Sequence, residues 1–228
     1  MMTERAVAIF DLDKTISRQD LYLAFLIQGL RQPANLGSAC LLPAHLVRFF
    51  AHVINNDQLK SLFLASIYGG RSRDFMDEAA ARFIKTVRRT MLKSAALRRV
   101  AEHRRQGHFL LLASASLDIY TVPLAGELGF DDVVATKVAW SADGRITGQL
   151  DGPNLRGTAK AAAVARILRR HSLDASPTFF YSDHESDAPL FSAARWPGAV
   201  DPTKKLRMLA REFGWPVYDW RGFDEGQA

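Results

Sequence analysis

One cysteine, Cys40, stands in 228 residues. That scarcity excludes an internal disulfide framework and suits a reducing compartment. The chain also lacks a run of about 20 uncharged apolar residues, the length a membrane-spanning helix needs. Its most hydrophobic stretch, Leu36 to Ile54, is interrupted by Pro43, His45, Arg48 and His52. That stretch reads as the core of a helical subdomain, with an interfacial or lipid-facing surface as the alternative. The first residues lack the basic, apolar, small-residue order of an export signal, because Asp11 and Asp13 break it. A cytoplasmic protein is expected, with peripheral attachment to the inner face of a membrane as the variant. Zinc-ligand spacing, RNA-binding aromatic patterns, internal repeats and low-complexity tracts are absent too, so no nucleic-acid partner is expected.

What is there begins with charge. The formal net charge is +6, and much of the excess lies in one segment. From Arg82 to Arg105 stand Arg82, Lys85, Arg88, Arg89, Lys93, Arg98, Arg99, Arg104 and Arg105, opposed only by Glu102. Such a stripe attracts phosphate-bearing partners or an anionic membrane surface, or it is simply the solvated face of one or two helices.

Hydropathy patterning supplies the architecture. Val7 to Phe10 reads as a strand that delivers Asp11 and Asp13 to the same side, because side chains alternate with period two. Two carboxylates so placed repel one another unless a cation or a shared proton offsets them. Residues 17–94 carry helical spacing and few strand signals. From residue 95 strands and helices alternate, which predicts a parallel sheet with helices on both faces. The expected fold is α/β: a Rossmann-like doubly wound parallel sheet core, residues 1–16 and 95–228, with an all-helical cap of residues 17–94 inserted after the first strand. Hinges are expected near residues 16–20 and 90–96.

Ligands of such sheets bind beyond the carboxyl ends of the strands. Ser114 closes the apolar run "FLLLAS", Asp183 follows "FFYS" with Asp187 four residues on, and Lys160 lies in the first turns of a helix beginning near Gly157. Each alone reads as a cap, a solvated side chain or a helix acid. Together they are carboxylates, a hydroxyl and a lysine at one sheet edge, a set suited to phosphate and a hard, oxygen-seeking cation such as magnesium.

The segments "FDLDKTI", "LLASAS", "GTAK" and "YSDHESD" resemble, in order and spacing, the four motifs of haloacid dehalogenase superfamily phosphatases. The helical insert after the first motif is similar to the IB subfamily, which holds phosphoserine phosphatases and lipid-phosphate relatives. This resemblance implies that Asp11 is the nucleophile, forming an aspartyl phosphate, and that Asp13 protonates the leaving alcohol and then activates water. It implies that the Asp11 carboxylate, the Asp13 carbonyl and Asp183 hold Mg2+. Ser114 would bind a phosphoryl oxygen, Lys160 would neutralise charge, Asp187 would orient Lys160 or a water, and Thr15 would secure the loop. The acid at position 13 points to a phosphatase or phosphomutase rather than a dehalogenase.

Asp20 and Ser116 are the candidate substrate-binding residues, although Asp20 reads equally well as a helix cap. The segment "NDQLKSLFLASIYGG" offers Lys60 and no arginine, which sets phosphoserine itself in doubt because lysine does not reproduce a bidentate fork. A magnesium-dependent phosphomonoesterase acting on a small phosphorylated metabolite is expected. A phosphatidylglycerophosphate-type lipid phosphatase is the alternative, and an inactive binding protein on the same fold is the second.

Overall fold

A computed structural model describes residues 5–32 and 40–222. The start of the hydrophobic stretch, at Leu36, lies outside the described residues. The main sheet has six parallel strands in the order β3-β2-β1-β6-β7-β8. These are β1 (Val7–Phe10), β2 (Phe109–Leu117), β3 (Asp132–Thr136), β6 (Thr178–Ser182), β7 (Trp196–Val200) and β8 (Val217–Tyr218). The two remaining strands, β4 (Val138–Trp140) and β5 (Ile146–Leu150), form an antiparallel hairpin beside it.

Strand β1 is fully buried and its period-two alternation splits it between two cores. Ala8 and Phe10 join one cluster with Ala96 and Val100 of α5 (Ser94–Arg105) and Tyr120 and Leu124 of α6 (Asp118–Leu128). Val7 and Ile9 join the other with Ala163 and Val164 of α7 (Thr158–Arg170), Leu190 of α8 (Ala188–Ala193) and Leu206 of α9 (Lys204–Phe213). Helices therefore cover both faces, as an all-parallel sheet requires. The chain runs outward from β1 to β2 and β3, then crosses back to β6 on β1's other side. The switch point lies between β1 and β6, and a crevice opens there beyond the strand ends.

Between β1 and α5 lie α1 (Leu21–Leu30), α2 (Leu42–Phe50), α3 (Asn56–Tyr68) and α4 (Arg73–Thr90). Their starts follow capping chemistry: Asp20 accepts from Leu23 N–H, Ser72 from Phe75 N–H, and Asn55 with Gln58 makes a reciprocal capping box. The first core continues into this layer without a break. Phe25 stacks on Tyr68 with centroids 4.7 Å apart, and Tyr120 of α6 meets Phe25 and Phe83 at 5.0 and 5.2 Å.

The two linkers run side by side, with Arg18 N–H donating to Met91 C=O at 2.7 Å and Lys93 N–H to Ile16 C=O at 2.9 Å. The hairpin grips the insert as well. Gly70 N–H donates to Ile146 C=O and Ile146 N–H to Arg71 C=O, while Gly148 (φ +84°) lies so close to α3 that a Cβ there would sit 2.3 Å from the Ala65 Cβ.

One boundary differs from the sequence reading. Ser114 does not end its strand; β2 continues to Leu117, where pairing with Thr136 of β3 resumes after a register shift. The ladder decides where a strand stops, and two serines on one face do not interrupt it.

Candidate active site

The crevice at the switch point is a cleft of about 420 Å³ walled by Asp11, Asp13, Asp20, Lys60, Ser116, Lys160, Asp183 and Asp187 among others. Asp11 and Asp13 follow β1, Ser116 lies near the end of β2, and Asp183 and Asp187 follow β6, all at one edge of the parallel sheet, while Lys160 enters from the first turn of α7, which follows the β4–β5 hairpin.

Asp11 follows β1 directly and its N–H donates to Tyr181 C=O at 2.9 Å, extending the sheet register by one residue. Its Oδ1 accepts from Lys160 Nζ at 2.8 Å and its Oδ2 from Thr15 Oγ1 at 3.1 Å. Lys160, buried in the first turn of α7, also donates to Asp187 Oδ2 at 2.8 Å, and Ser182 Oγ reaches that same oxygen at 2.8 Å. Burial alone would lower the Lys160 pKa, yet the Asp11 and Asp187 carboxylates outweigh it and hold the ammonium protonated, above its usual range.

Even so, the cleft is short of positive charge. Burial, only partly countered by Lys160 and reinforced by Asp187, Asp183 and Asp13, pushes Asp11 up to about 8. Burial raises Asp183 to about 6, against the opposing charge of Lys14. Asp187 Oδ1 is buried with no hydrogen-bond partner. An excess of carboxylate oxygens and one orphaned acceptor fit a hard divalent cation. Among the described residues no three His, Cys, Asp or Glu side chains form a cage of their own. A cation here would draw on two carboxylates, a backbone carbonyl and waters, a set that a magnesium-like ion tolerates.

Asp13 sits where the backbone turns. Its Oδ1 accepts from Leu21 N–H at 2.7 Å; its Oδ2 accepts from Ser116 Oγ at 2.7 Å and more distantly from Ser114 Oγ at 3.3 Å. Burial and the nearby Asp20 charge raise its pKa, while the Ser116 and Leu21 donors pull the other way. Ser114 is wholly buried behind the cleft wall, which at this point is made by Ala115 and Ser116. Asp20 caps α1 and also lines the cleft.

Several wall residues escaped the sequence reading. Lys60, noted there only as a lysine where an arginine was wanted, is buried. Its Nζ donates to Ala115 C=O and, at 3.0 Å, to Asn154 Oδ1, and it lies 5.0 Å from the Tyr22 ring centroid. Burial pushes it down to about 8 despite Asp13, Asp20 and Asp57. Its signal was legible, since Lys60 shares the buried face of α3 with Leu64 and Ile67 at helical spacing. Asn154 and Arg156 had none beyond standing just before "GTAK".

The basic stripe is corrected in part. Lys93 is not on the surface. Its ammonium is buried against Asp201 at 2.7 Å, and Arg88 pairs with Glu127 at 2.7 Å.

Buried carboxylates bonded to a buried ammonium, within an acid-rich cleft short of positive charge, can receive a phosphoryl group together with a cation. Residues 8–192 match the family model of haloacid dehalogenase-like hydrolases. The chain belongs to that family of hydrolases. It is 27% identical over 220 residues to the inhibition of morphological differentiation protein of Streptomyces azureus, covering 95% of this chain and 79% of that one. It is 37% identical over 119 residues to phosphoserine phosphatase SerB1 of Mycobacterium tuberculosis, which covers 52% of this chain but only 38% of that protein. Among solved structures, a protein of unknown function from Bordetella pertussis Tohama I superposes with a TM-score of 0.82 at 26% identity, covering 96% of this chain and 100% of the other.

Proposed function

We propose that this protein is a divalent-cation-dependent phosphomonoesterase that acts through a phosphorylated Asp11 on small phosphorylated metabolites. The observation that carries the reading is the Lys160 ammonium bonded at 2.8 Å to both Asp11 and Asp187 inside the acid-lined cleft. An Asp11 oxygen attacks phosphorus while the bond to the leaving alkoxide breaks, and the Asp13 carboxyl gives that oxygen its proton. Asp13, then ionised, takes a proton from the water that cleaves the acyl phosphate, restoring both acids. Lys160 neutralises charge on Asp11 and on the transferring group. Asp11, Asp183 and the Asp13 carbonyl would hold Mg2+, which when bound supplies the positive charge the cleft lacks and polarises the phosphoryl group.

The cleft favours a modest ester with an apolar portion. Leu23, Leu26, Leu59 and Phe63 line it together with Asp20, Asn56 and Arg156. Lys60 is already bonded to Ala115 and Asn154, so it offers no fork for a carboxylate; the phosphoserine that SerB1 is named for is one candidate among several. The test is hydrolysis of p-nitrophenyl phosphate with and without magnesium by the wild type and Asp11→Asn, followed by a screen of phosphorylated metabolites. Activity that survives Asp11→Asn sinks the reading.

A second reading, a lipid-phosphate substrate met at a membrane surface, is favoured by α2. No residue of this helix is buried, and its exposed apolar side chains, Leu46, Val47 and Phe50, continue Leu41 and Val53. Between Leu21 and Asn56 the sequence holds no Asp or Glu. Among the described residues no helix is long and apolar enough to cross a membrane. Pelleting with phosphatidylglycerol vesicles, lost in Val47→Ser/Phe50→Ser, would support this reading; no pelleting would remove it.

A further inference from the structure

Lys93 is a buried cation that the chemistry above does not use. It belongs to the linker returning from the insert, at the residue preceding α5. Its ammonium donates to the Lys14 carbonyl and to Asp201 Oδ2, and the Lys93 and Asp201 side chains are only 4% and 6% exposed. Its own N–H is held by Ile16 C=O at 2.9 Å. Both partners of the ammonium are strained. Among the described residues the non-glycine residues with positive φ are Lys14, His52, Ser172 and Asp201, and Lys93 joins the first to the last. A residue with a Cβ enters this region at an energetic cost and persists only where its surroundings over-determine it.

Those surroundings can be named. Lys14 N–H donates to Ser17 Oγ at 3.1 Å and Lys14 C=O accepts from Lys93. Asp201 Oδ1 accepts from Trp220 N–H at 3.0 Å, and two residues on, Thr203 N–H donates to Asp183 C=O at 2.9 Å. The short loop after β7 thus braces both acid-bearing loops, reaching one directly and the other through Lys93. Lys14 adjoins Asp13 in the chain, so the peptide that Lys93 holds helps set where the Asp13 carboxyl points. Lys93 is absent from the cleft wall and touches no reacting group.

We infer that Lys93, clamped by Asp201, is a positioning residue that aims Asp13 at the leaving-group oxygen. The inference rests on the assignment of Asp13 as the acid. It predicts a signature that depends on the leaving group. An alkoxide needs a proton to depart and p-nitrophenolate does not, so a misaimed acid slows alkyl esters selectively.

The experiment compares, with magnesium present, p-nitrophenyl phosphate and an alkyl phosphomonoester that the wild type turns over. Lys93→Met leaves Asp201 buried without its partner, so Lys93→Met/Asp201→Leu, which removes both charges, is measured beside it, with thermal unfolding as the check on folding. Expected is a fall in kcat/KM, which reads phosphoryl transfer and not hydrolysis of the shared intermediate, on the alkyl ester roughly tenfold or more beyond any fall on p-nitrophenyl phosphate, with partial rescue in Lys93→Arg. Asp13→Asn is the control. If it lacks the leaving-group signature, the assignment of Asp13 has failed and this inference goes with it. If Asp13→Asn shows the signature in kcat/KM while the folded double variant loses kcat/KM on both esters in parallel, or on neither, the role of Lys93 is overturned and that of Asp13 stands.

Discussion

At the scale of single residues, the site depends on one ammonium facing several carboxylates. Asp11 and Asp187 each place an oxygen 2.8 Å from Lys160 Nζ, so removing Lys160 leaves two buried acids uncompensated, one of them the nucleophile proposed above. Lys160→Met is expected to lower kcat about 100- to 1,000-fold, as loss of one aimed donor does elsewhere. The same change should raise the Asp11 pKa further, since Lys160 is the charge that lowers it; the pH at which activity rises should move up, read from a kcat profile. Asp11→Asn removes the attacking group itself and should cost roughly 1,000-fold or more. Asp11 was legible in the sequence because it ends the apolar run Val7 to Phe10, and Lys160 because it stands in the first turns of a helix beginning near Gly157. Lys60 was visible yet misjudged: its helical phase showed a buried lysine, but only the fold shows that it meets Ala115 and Asn154.

Among elements, the contact that most constrains the insert is the β4–β5 hairpin against α3. Gly148 has φ +84°, and a Cβ there would lie 2.3 Å from the Ala65 Cβ and 2.7 Å from the Ala65 backbone nitrogen. Backbone atoms cannot step aside as a flexible side chain can. Gly148→Ala is therefore expected to destabilise the protein by about 1–3 kcal/mol, through overpacking and the left-handed backbone together. Denaturant unfolding reads the size of the effect. Because α3 carries Lys60 into the cleft, the variant should also raise KM for the best ester in a substrate screen. The hairpin turn at Asp143-Gly144 could be read from the sequence; its packing on the insert could not.

For the whole molecule, pH links folding to the cation. Asp11 rises from 3.8 unfolded to about 8 folded. A folded carboxyl with a raised pKa binds a proton that the unfolded chain has released, so its contribution to stability is lost as pH climbs toward the folded value. His103, pushed by burial from 6.5 down to about 4, works in the opposite direction until the unfolded imidazole has lost its proton, as do His108 and His184, which burial also lowers. Lys60, lowered to about 8, opposes Asp11 as pH 8 is approached, so the Asp11 effect is strongest relative to the others between about pH 7 and pH 7.5. Metal-free protein is therefore expected to lose thermal stability across that window. Magnesium should raise Tm more at its upper end than its lower, because the cation binds the ionised acids. Equal Tm gains at both ends, measured against a chelator control, would contradict this.

The sequence by itself determined the parallel sheet, the helical insert and the identity of the acids and lysine that converge, because strand alternation, helix spacing and the polar groups that end apolar runs are local properties. Only the tertiary structure decided which of those groups touch. It showed that β2 runs past Ser114, that Lys93 is a buried brace rather than part of a surface stripe, and that Asp187 keeps an unpartnered oxygen. Burial and the meeting of distant loops arise from packing across the sheet edge, and no spacing along the chain encodes the distance between two side chains on different strands.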